Sequence, residues 1–422
     1  MQLAERHIIK SGHKFFKQLD ALCFASKNLY NAANYTRRQH FIYGWGYLNY
    51  AAMYNLMKSH ATYKALPAKV SQQILMILDC NWKSFCAALA AYKKHPQSFT
   101  GQPSIPKYKH KTKGRNLLIY TSQAVSKTAL NKGIIKLSGT SIEVKTRVSG
   151  DHLRQVRVVP QCDCYVIEVI YEQQESSHSP GSKIAAIDLG LNNLAALTSN
   201  QKGFVPLLIN GRPLKSINQF YNKKKSSLQS QLKGNRQSSK RIQRLTRCRN
   251  HKIDNYLHAA SSLLVDCLVA HQQGTLVIGY NPQWKNEINL GRQNNQNFVN
   301  VPHLRFVKML TYKCSRVGIK VLLTEESYTS ASSFFDGDFM PVYGEKCGDN
   351  VVKSGDRVRR GLYQRHNGEP INADVNGSYN ILRKAIPNAF ADGIESCVVQ
   401  PRRVTPLKVK TKGKSAMVSG LL

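Results

Sequence analysis

Residues 183–199 read KIAAIDLGLNNLAALTS. Lys183–Ile187 is a short apolar run of the kind a strand buried on both faces shows, and it ends in Asp188. Gly190 and two asparagines make a turn, and Leu194–Thr198 and Phe204–Leu208 follow at hairpin spacing. A long basic helix or helix pair fills 214–271, with Ile253, Tyr256, Leu257, Ala260, Leu263, Leu264, Cys267 and Leu268 on one face. After Gly274 comes the strand Thr275–Tyr280. A helix around Leu304, Val307, Leu310 and Cys314 leads to the strand Ile319–Thr324, and a last helix starts near Asp374 and runs to about Ala385.

Three meandering strands followed by helix, strand, helix, strand and helix are the order of an RNase H-like α/β domain. N-terminal to it the grammar differs. Residues 1–11 suit one strand, and His13 to about His95 is helical, with Leu19, Leu22, Cys23, Ala25, Leu29 and Tyr30, then Val70, Ile74, Leu75, Leu78 and Trp82, at helical spacing. The Pro-rich stretch His95–His110 ends the helical part. Residues 115–175 read as short strands, at Ile134–Leu137, Ser141–Val144, Gln155–Val159 and Tyr165–Tyr171, and fit a small barrel or sandwich. A polar linker, Glu172–Ser182, precedes the α/β region.

The chain has 422 residues and a formal net charge of +37, and 42% of it is hydrophobic. That apolar share excludes long disorder and collagen. No uncharged apolar run nears the roughly 18 residues of a membrane span, and MQLAERHIIKSGHK has no signal-peptide core. The expectation is a cytoplasmic protein with no membrane contact. The charge is clustered: Lys223–Lys252 holds eleven Lys or Arg and no acid, and Lys107–Arg147 holds ten and only Glu143. Such patches point to nucleic acid. Ten cysteines show no CxxC pair, and Cys162 and Cys164 would share a face if both lay on one strand. They are expected to be reduced thiols serving as small apolar groups.

Candidate phosphate and base contacts come from three clusters. Lys27, Tyr35, Arg37 and Arg38 mix charge and aromatic groups on one helix; Lys107, Lys109 and Lys111 sit in a loop with Lys113 and Arg115; Lys223, Lys224 and Lys225 open the longest basic run. Core packing competes for the aromatic groups of the first cluster, and a solvated helix face for the third.

Two acids carry the chemistry. Asp188 ends a strand, where a turn-capping role is the plain alternative, and Asp374 enters a helix in INADVNGSYNILRKA, where an N-cap role competes. Both are scarce acids in a basic chain, at places where an RNase H-like fold gathers metal ligands.

DLGLNNLAAL, LVIGYNPQWKNEINLG, EESYTSASSFFDGD and NADVNGSYNILRKA resemble the RuvC motifs of TnpB proteins, the insertion-sequence-encoded relatives from which compact type V CRISPR effectors derive. ASKNLYNAANYTRRQHF, VSQQILMILDCNWKSF, PSIPKYKHKTKGRN and LIYTSQAVSKTAL resemble the same family, so the likeness runs through nearly the whole chain. It implies an RNA-guided DNA endonuclease of α/β plus β class. A helical recognition domain (12–100) would be inserted in a wedge-like β-barrel (1–11 and 101–180), followed by a RuvC nuclease domain (181–422) with a degenerate target-nucleic-acid-binding insert at about 330–370. The implied partners are a guide RNA from the transposon end and double-stranded target DNA, with no protein partner required. The implied cofactors are two Mg²⁺ ions held by three acids, of which Asp188 matches the first and Asp374 the third.

The second acid departs from the family pattern. Gly279 stands where many relatives have Glu. Glu326, with Glu325 as fallback, is the preferred replacement, because some relatives carry a relocated Glu before the TS dipeptide; strand neighbours alternate faces, so one of the two points inward. Glu287 is a second reading and loss of cleavage a third, which would leave a nuclease-dead RNA-guided DNA-binding repressor. A resolvase without guide RNA is a remoter alternative. The zinc ribbon also departs. Ser332, Phe334 and Phe335 replace the expected thiols and Cys347 stands alone, so no zinc is expected, and Phe334, Phe335 and Tyr343 would pack instead. Arg357, Arg359 and Arg360 would help this segment bind target nucleic acid.

Overall fold

The computed structural model describes residues 1–234, 236–281, 301–341, 353–359, 361–391, 393–395 and 397–406. The chain forms two compact units, Met1–Gln173 and Gln174–Leu422.

In the first unit, β1 (Gln2–Lys10) leads into α1 (Phe16–Ile42), α2 (Tyr50–Met57), α3 (Ala61–Lys64) and α4 (Ala68–Lys94). Neither α1 nor α4 contains Gly or Pro, so nothing breaks their 27-residue runs. The buried stripe of α1 is Leu19, Cys23, Ser26, Lys27, Tyr30, Ala33, Asn34 and Arg37, at i+3 and i+4 spacing. That of α4 is Val70, Ile74, Leu75, Leu78, Asp79, Trp82 and Phe85. By length and composition α4 could cross a membrane. Its apolar face instead joins the core with Leu19, Leu29 and Met53.

After the helices come β2 (Leu118–Thr121), the short helix α5 (Lys127–Leu130), β3 (Ile134–Lys136), β4 (Glu143–Lys145), β5 (Leu153–Gln161) and β6 (Cys164–Glu172). The strands make a four-stranded sheet, β1-β6-β5-β2, and a separate β3-β4 pair. β1 pairs antiparallel with β6 along its whole length, from Gln2↔Glu172 to Lys10↔Cys164. Among the described residues β1 and β2 are open edges, where a barrel or sandwich was expected. β2 is too short to alternate visibly and was not legible. The shared strand face expected for Cys162 and Cys164 is absent: Cys162 sits in the β5–β6 turn at φ +44° and is exposed, while Cys164 is buried. The small-hydrophobe reading fits Cys23, Cys164, Cys267 and Cys314, and fails at exposed Cys80, Cys162 and Cys248.

The second unit is built on a six-stranded sheet ordered β11-β10-β7-β8-β9-β15. β7 (Lys183–Leu189), β8 (Asn193–Ser199) and β9 (Leu207–Asn210) form an antiparallel meander. β10 (Gln273–Gly279) lies parallel to β7, and β11 (Lys320–Thr324) parallel to β10. The basic region is a helix pair, α6 (Arg212–Ser230) and α7 (Lys240–Ala270), and α8 (His303–Ser315) precedes β11. Three short strands, β12 (Asp356–Arg359), β13 (Leu362–Gln364) and β14 (Pro370–Asn372), lead into α9 (Ala373–Ala385), and β15 (Arg402–Val404) closes the sheet edge. Both sheet faces are covered. Ala185 and Ile187 of β7 pack with Leu257, Leu264 and Leu310 of α7 and α8. Ala186 faces the other way, toward Ile381 and Leu382 of α9. Strand alternation therefore puts Asp188 on the α9 face.

Candidate active site and nucleic-acid surfaces

Asp188 is the penultimate residue of β7 and pairs with Ala196, so it is a strand residue and not a turn cap. The N-cap of α9 is Asn372, whose side chain accepts from the backbone N–H of Asp374 (3.0 Å) and Val375 (3.2 Å). The cap role expected for Asp374 as its plain alternative is thus taken, and its carboxylate is left in the first helical turn, where the helix dipole favours negative charge. There Asp374 Oδ2 accepts a 2.6 Å bond from Asn193 Nδ2.

α9 comes very close to β7. A Cβ on Gly377 would stand 2.9 Å from Asp188 Oδ2, so this helical glycine is required by approach and not by backbone angle. Ser378 Oγ donates to Ala186 O (3.0 Å) and bonds Thr198 Oγ1 (2.9 Å), fixing the helix on β7 and β8. The next two amides hold the loop after β11. Asn376 Nδ2 donates to Ser332 O (2.8 Å), and Asn380 Nδ2 donates to Thr329 O (2.9 Å) and Ser332 O (2.7 Å).

That loop carries Glu325 and Glu326, just past the end of β11, and their environments differ. Glu325 pairs with Lys384 Nζ and accepts from Ser327 N–H at 2.5 Å. Burial raises its pKa, but these hydrogen bonds outweigh burial and hold it below the usual range. Glu326 is turned inward, and burial, then the charge of Glu325, pushes it up to about 7. Its backbone N–H is anchored by Asn281 Oδ1 (3.1 Å). A Cβ at Gly279 would lie 3.1 Å from Glu326 Oε2 and 2.5 Å from Ile381 Cδ1. Gly279 pairs with Thr324 across the parallel ladder. The space a side chain at 279 would occupy is therefore filled by Glu326, from the loop just past the neighbouring strand, with Ile381 from α9.

Asp188 feels all of this. Burial raises its pKa well above the usual value, the charges of Asp374 and Glu326 raise it further, and Arg357 of β12 acts against them. Three carboxylates thus share one electrostatic site. No three His, Cys, Asp or Glu side chains among the described residues stand close enough to form a ready-made metal cage. Mg²⁺ does not require one, because it keeps several waters and takes one or two carboxylates with substrate phosphates. The donor set here is oxygen only. Asn193 Oδ1, in a side chain that is 5% exposed, is buried without a hydrogen-bond partner beside Asp374. An all-oxygen site with excess negative charge and an unused acceptor fits a hard divalent cation.

Asn193, Gly377 and Lys384 were not singled out from sequence. Asn193 lies inside the DLGLNN motif, and only the fold shows that it reaches Asp374. Glu287, Trp284, Asn294, Asn295, Gln296, Tyr343, Cys347 and Arg360 lie outside the described residues, so the Glu287 reading and the lone-thiol argument are left where the sequence put them. Phe334 is buried, stacks on Tyr379 at 4.9 Å and 16°, and meets Phe390 at 4.8 Å; Phe335 meets Phe334 edge-on.

The candidate phosphate contacts divide. Two are corrected. Lys27 is buried, donates to Lys111 O at 2.6 Å and lies over Phe24, and Arg37 is buried in an ion pair with Asp79 at 2.9 Å. Both fall on the apolar stripe of α1, and helical spacing alone could have shown it. Arg115, read as a loop cation, is held by Asp20 through two 2.8 Å bonds. Tyr35, Lys107, Lys109, Lys111, Lys223, Lys224 and Arg359 are exposed, Lys225 lies near the Tyr221 ring, and Arg38 lies over Tyr108 at 4.6 Å.

Residues 167–285 match the OrfB_IS605 family model, described as a probable transposase, and residues 303–381 match the Cas12f1-like TNB domain. The TnpB-like protein ORF457 of Acidianus two-tailed virus is 24% identical over 433 residues, covering 93% of this chain and 89% of that protein. Among solved structures, a Cas12f1 in complex with single-guide RNA and target DNA superposes with a TM-score of 0.52 at 14% identity, over 87% of this chain and 82% of that one. Likeness at that identity concerns the fold, and it agrees with the mixed α/β architecture. Two matching family models, a relative similar across most of its length and the motifs around Asp188 and Asp374 make the chain similar to TnpB-like proteins.

Proposed function

We propose that the protein is an RNA-guided DNA endonuclease. A guide RNA, transposon-derived in this reading, supplies sequence readout by base pairing, while the protein reads a short flanking motif and backbone shape. The single observation that carries the cleavage half is the convergence of Asp188, Glu326 and Asp374, with Glu326 filling the space beside Gly279. In this reading residues 181–422 are a RuvC nuclease domain, and the first unit combines the helical recognition region with the wedge sheet. Asp188, Glu326 and Asp374 would hold two Mg²⁺ ions, which would supply Lewis-acid activation of the attacking water and charge stabilisation of the leaving 3′ oxygen. Asn193 orients the Asp374 carboxylate by its 2.6 Å bond. Lys384 keeps Glu325 turned away, so that Glu326 alone faces the site.

The exposed cations Lys107, Lys109, Lys111, Lys223, Lys224 and Arg359, with half-buried Lys225 and Arg38 and with Tyr35, are the surfaces for guide and target backbone. The net charge of +37 supports a polyanionic partner. The test has two arms. RNA co-purifying with the expressed chain is sequenced, and the reconstituted complex is assayed for Mg²⁺-dependent cutting of matched duplex. Defined-sequence RNA with cleavage supports the proposal. Tight guided binding without cleavage identifies a nuclease-dead binder, and absence of defined RNA removes guidance altogether.

A further inference from the structure

The first unit carries an aromatic loop that the proposed chemistry does not use. α1 ends at Ile42, and the chain continues Tyr43-Gly-Trp-Gly-Tyr47. Gly44 and Gly46 adopt φ +69° and +87°, with nothing within 4 Å of a would-be Cβ, so they serve the turn and not the packing. Trp45 N–H bonds back to His40 O at 2.9 Å, the six-to-one bond of a Schellman motif. The His40 ring meets Trp45 at 5.3 Å and 90°. Trp45 and Tyr43 stack on each other at 5.0 Å and 25°. Both remain open to solvent, Tyr43 at 62% and Trp45 at 64% exposure. A rigid backbone therefore presents two stacked rings whose burial contributes little to the fold. Behind them is a cavity of about 310 Å³ walled by Arg37, His40, Phe41, Tyr47 and Trp82.

A basic segment runs along α1 toward this loop. Its backbone is pinned to one face of the helix: Lys27 donates to Lys111 O (2.6 Å), Asn31 to Lys109 O (2.8 Å) and Asn34 to Pro106 O (3.0 Å). Arg38 lies over Tyr108 at 4.6 Å. From Lys27 to Arg38 this covers about 16 Å of helix, and it ends one turn before the aromatic loop. Lys107, Lys109 and Lys111 are exposed, the Lys109 ammonium lying over the Tyr30 ring at 5.4 Å, and no ion pair to an acid is seen for the three among the described residues. Stackable rings at the end of a cationic track are the two parts of a single-strand binding groove. A neutral protein partner would leave the lysines unmatched.

We infer that Tyr43 and Trp45 are a stacking platform for an unpaired nucleobase, on a single strand whose phosphates follow Lys111, Lys109 and Lys107. The inference rests on the nucleic-acid reading proposed above. It is tested on the full chain, freed of RNA, by anisotropy of fluorescein-labelled oligothymidylate and oligouridylate over a range of salt. Trp45→Ala weakens binding about ten-fold, in line with the loss of one base stack, without changing the salt slope. Trp45→Phe stays within about three-fold, because a ring still stacks. Lys107→Ala with Lys109→Ala lowers the slope by up to about 0.7 per lost contact. Thermal unfolding matching the wild type shows that the variants fold. Wild-type affinity in Trp45→Ala while the lysine variant weakens overturns the platform and leaves the nucleic-acid reading standing. No loss in either overturns both. Sedimentation in which Trp45→Ala converts a dimer to a monomer with oligonucleotide affinity unchanged makes the loop a self-association face and also overturns the platform.

Discussion

Two buried clusters of ionisable groups, one in each unit, are built on opposite principles. In the helical unit Asp79 is surrounded by cations and donors. Arg37 pairs with it at 2.9 Å, Lys83 at 2.9 Å, and Tyr47 donates at 3.2 Å. Burial raises its pKa, but these partners more than offset that and hold it below the usual range. In the α/β unit burial, and then the charges of Asp374 and Glu326, raise the pKa of Asp188 well above the usual value, and Arg357 does not offset them. The first arrangement is complete within the protein. The second is not, and an uncompensated carboxylate group is what a divalent cation would complete. The comparison separates structural charge from functional charge more sharply than burial does.

If it holds, removing charge should have opposite consequences in the two places. The largest effect is on cleavage. Asp188→Ala or Asp374→Ala should reduce Mg²⁺-dependent cutting on the order of 10³-fold or more while guided binding, measured by gel shift, persists. Wild-type-like cutting by either variant would remove the assignment. The next is on stability. Asp79→Asn should destabilise the protein by about 3–5 kcal/mol, because Arg37 is left as an unpaired buried charge. Asp188→Asn should instead raise thermal stability of the metal-free protein by about 1 kcal/mol, by relieving repulsion at a site kept for function. A destabilising Asp188→Asn would break the comparison.

The pH dependence sharpens it. Asp79 is depressed in the folded state, so its contribution is present above the unfolded carboxylate value of about 3.9. It is lost as pH falls through its lower folded value. Acid unfolding of wild type and Asp79→Asn should therefore converge below that range, and a constant gap down to the lowest pH would contradict the pairing. The smallest effect concerns the exposed run. Lys223, Lys224 and Lys225 replaced by Ala should flatten the salt dependence of duplex binding by up to about 0.9 per lost phosphate contact. An unchanged slope would make that face merely solvated.

Five of the six strands of the second unit's sheet, and the places of Asp188 and Asp374, are legible because each motif coincides with a change in periodicity. The apolar run of β7 gives way to a turn at 190–192, and a short strand gives way to a helix at 373. Glu326 was legible only as a preference, since choosing it over Glu325 needs the Lys384 contact, made across 59 residues. Lys27 and Arg37 were misjudged because charge was given more weight than their position on the α1 stripe. Asn372 and Asp374 are both good capping residues, and only backbone geometry tells which of them caps. β12 to β15 are not legible because strands of three or four residues carry no readable alternation.

The central claim is that Glu326, from the loop just after the strand next to Gly279, serves as the second acid. The direct measurement is Mg²⁺-dependent cleavage by Glu326→Gln, Glu325→Gln and Glu287→Gln, each loaded with the same guide and assayed on the same duplex. Glu326→Gln keeps the shape and loses the charge, and should be inactive while still binding target. Glu325→Gln should retain most activity, since its carboxylate is held by Lys384, and Glu287→Gln should behave as wild type. Full activity in Glu326→Gln, with loss in either of the other two, would contradict the account.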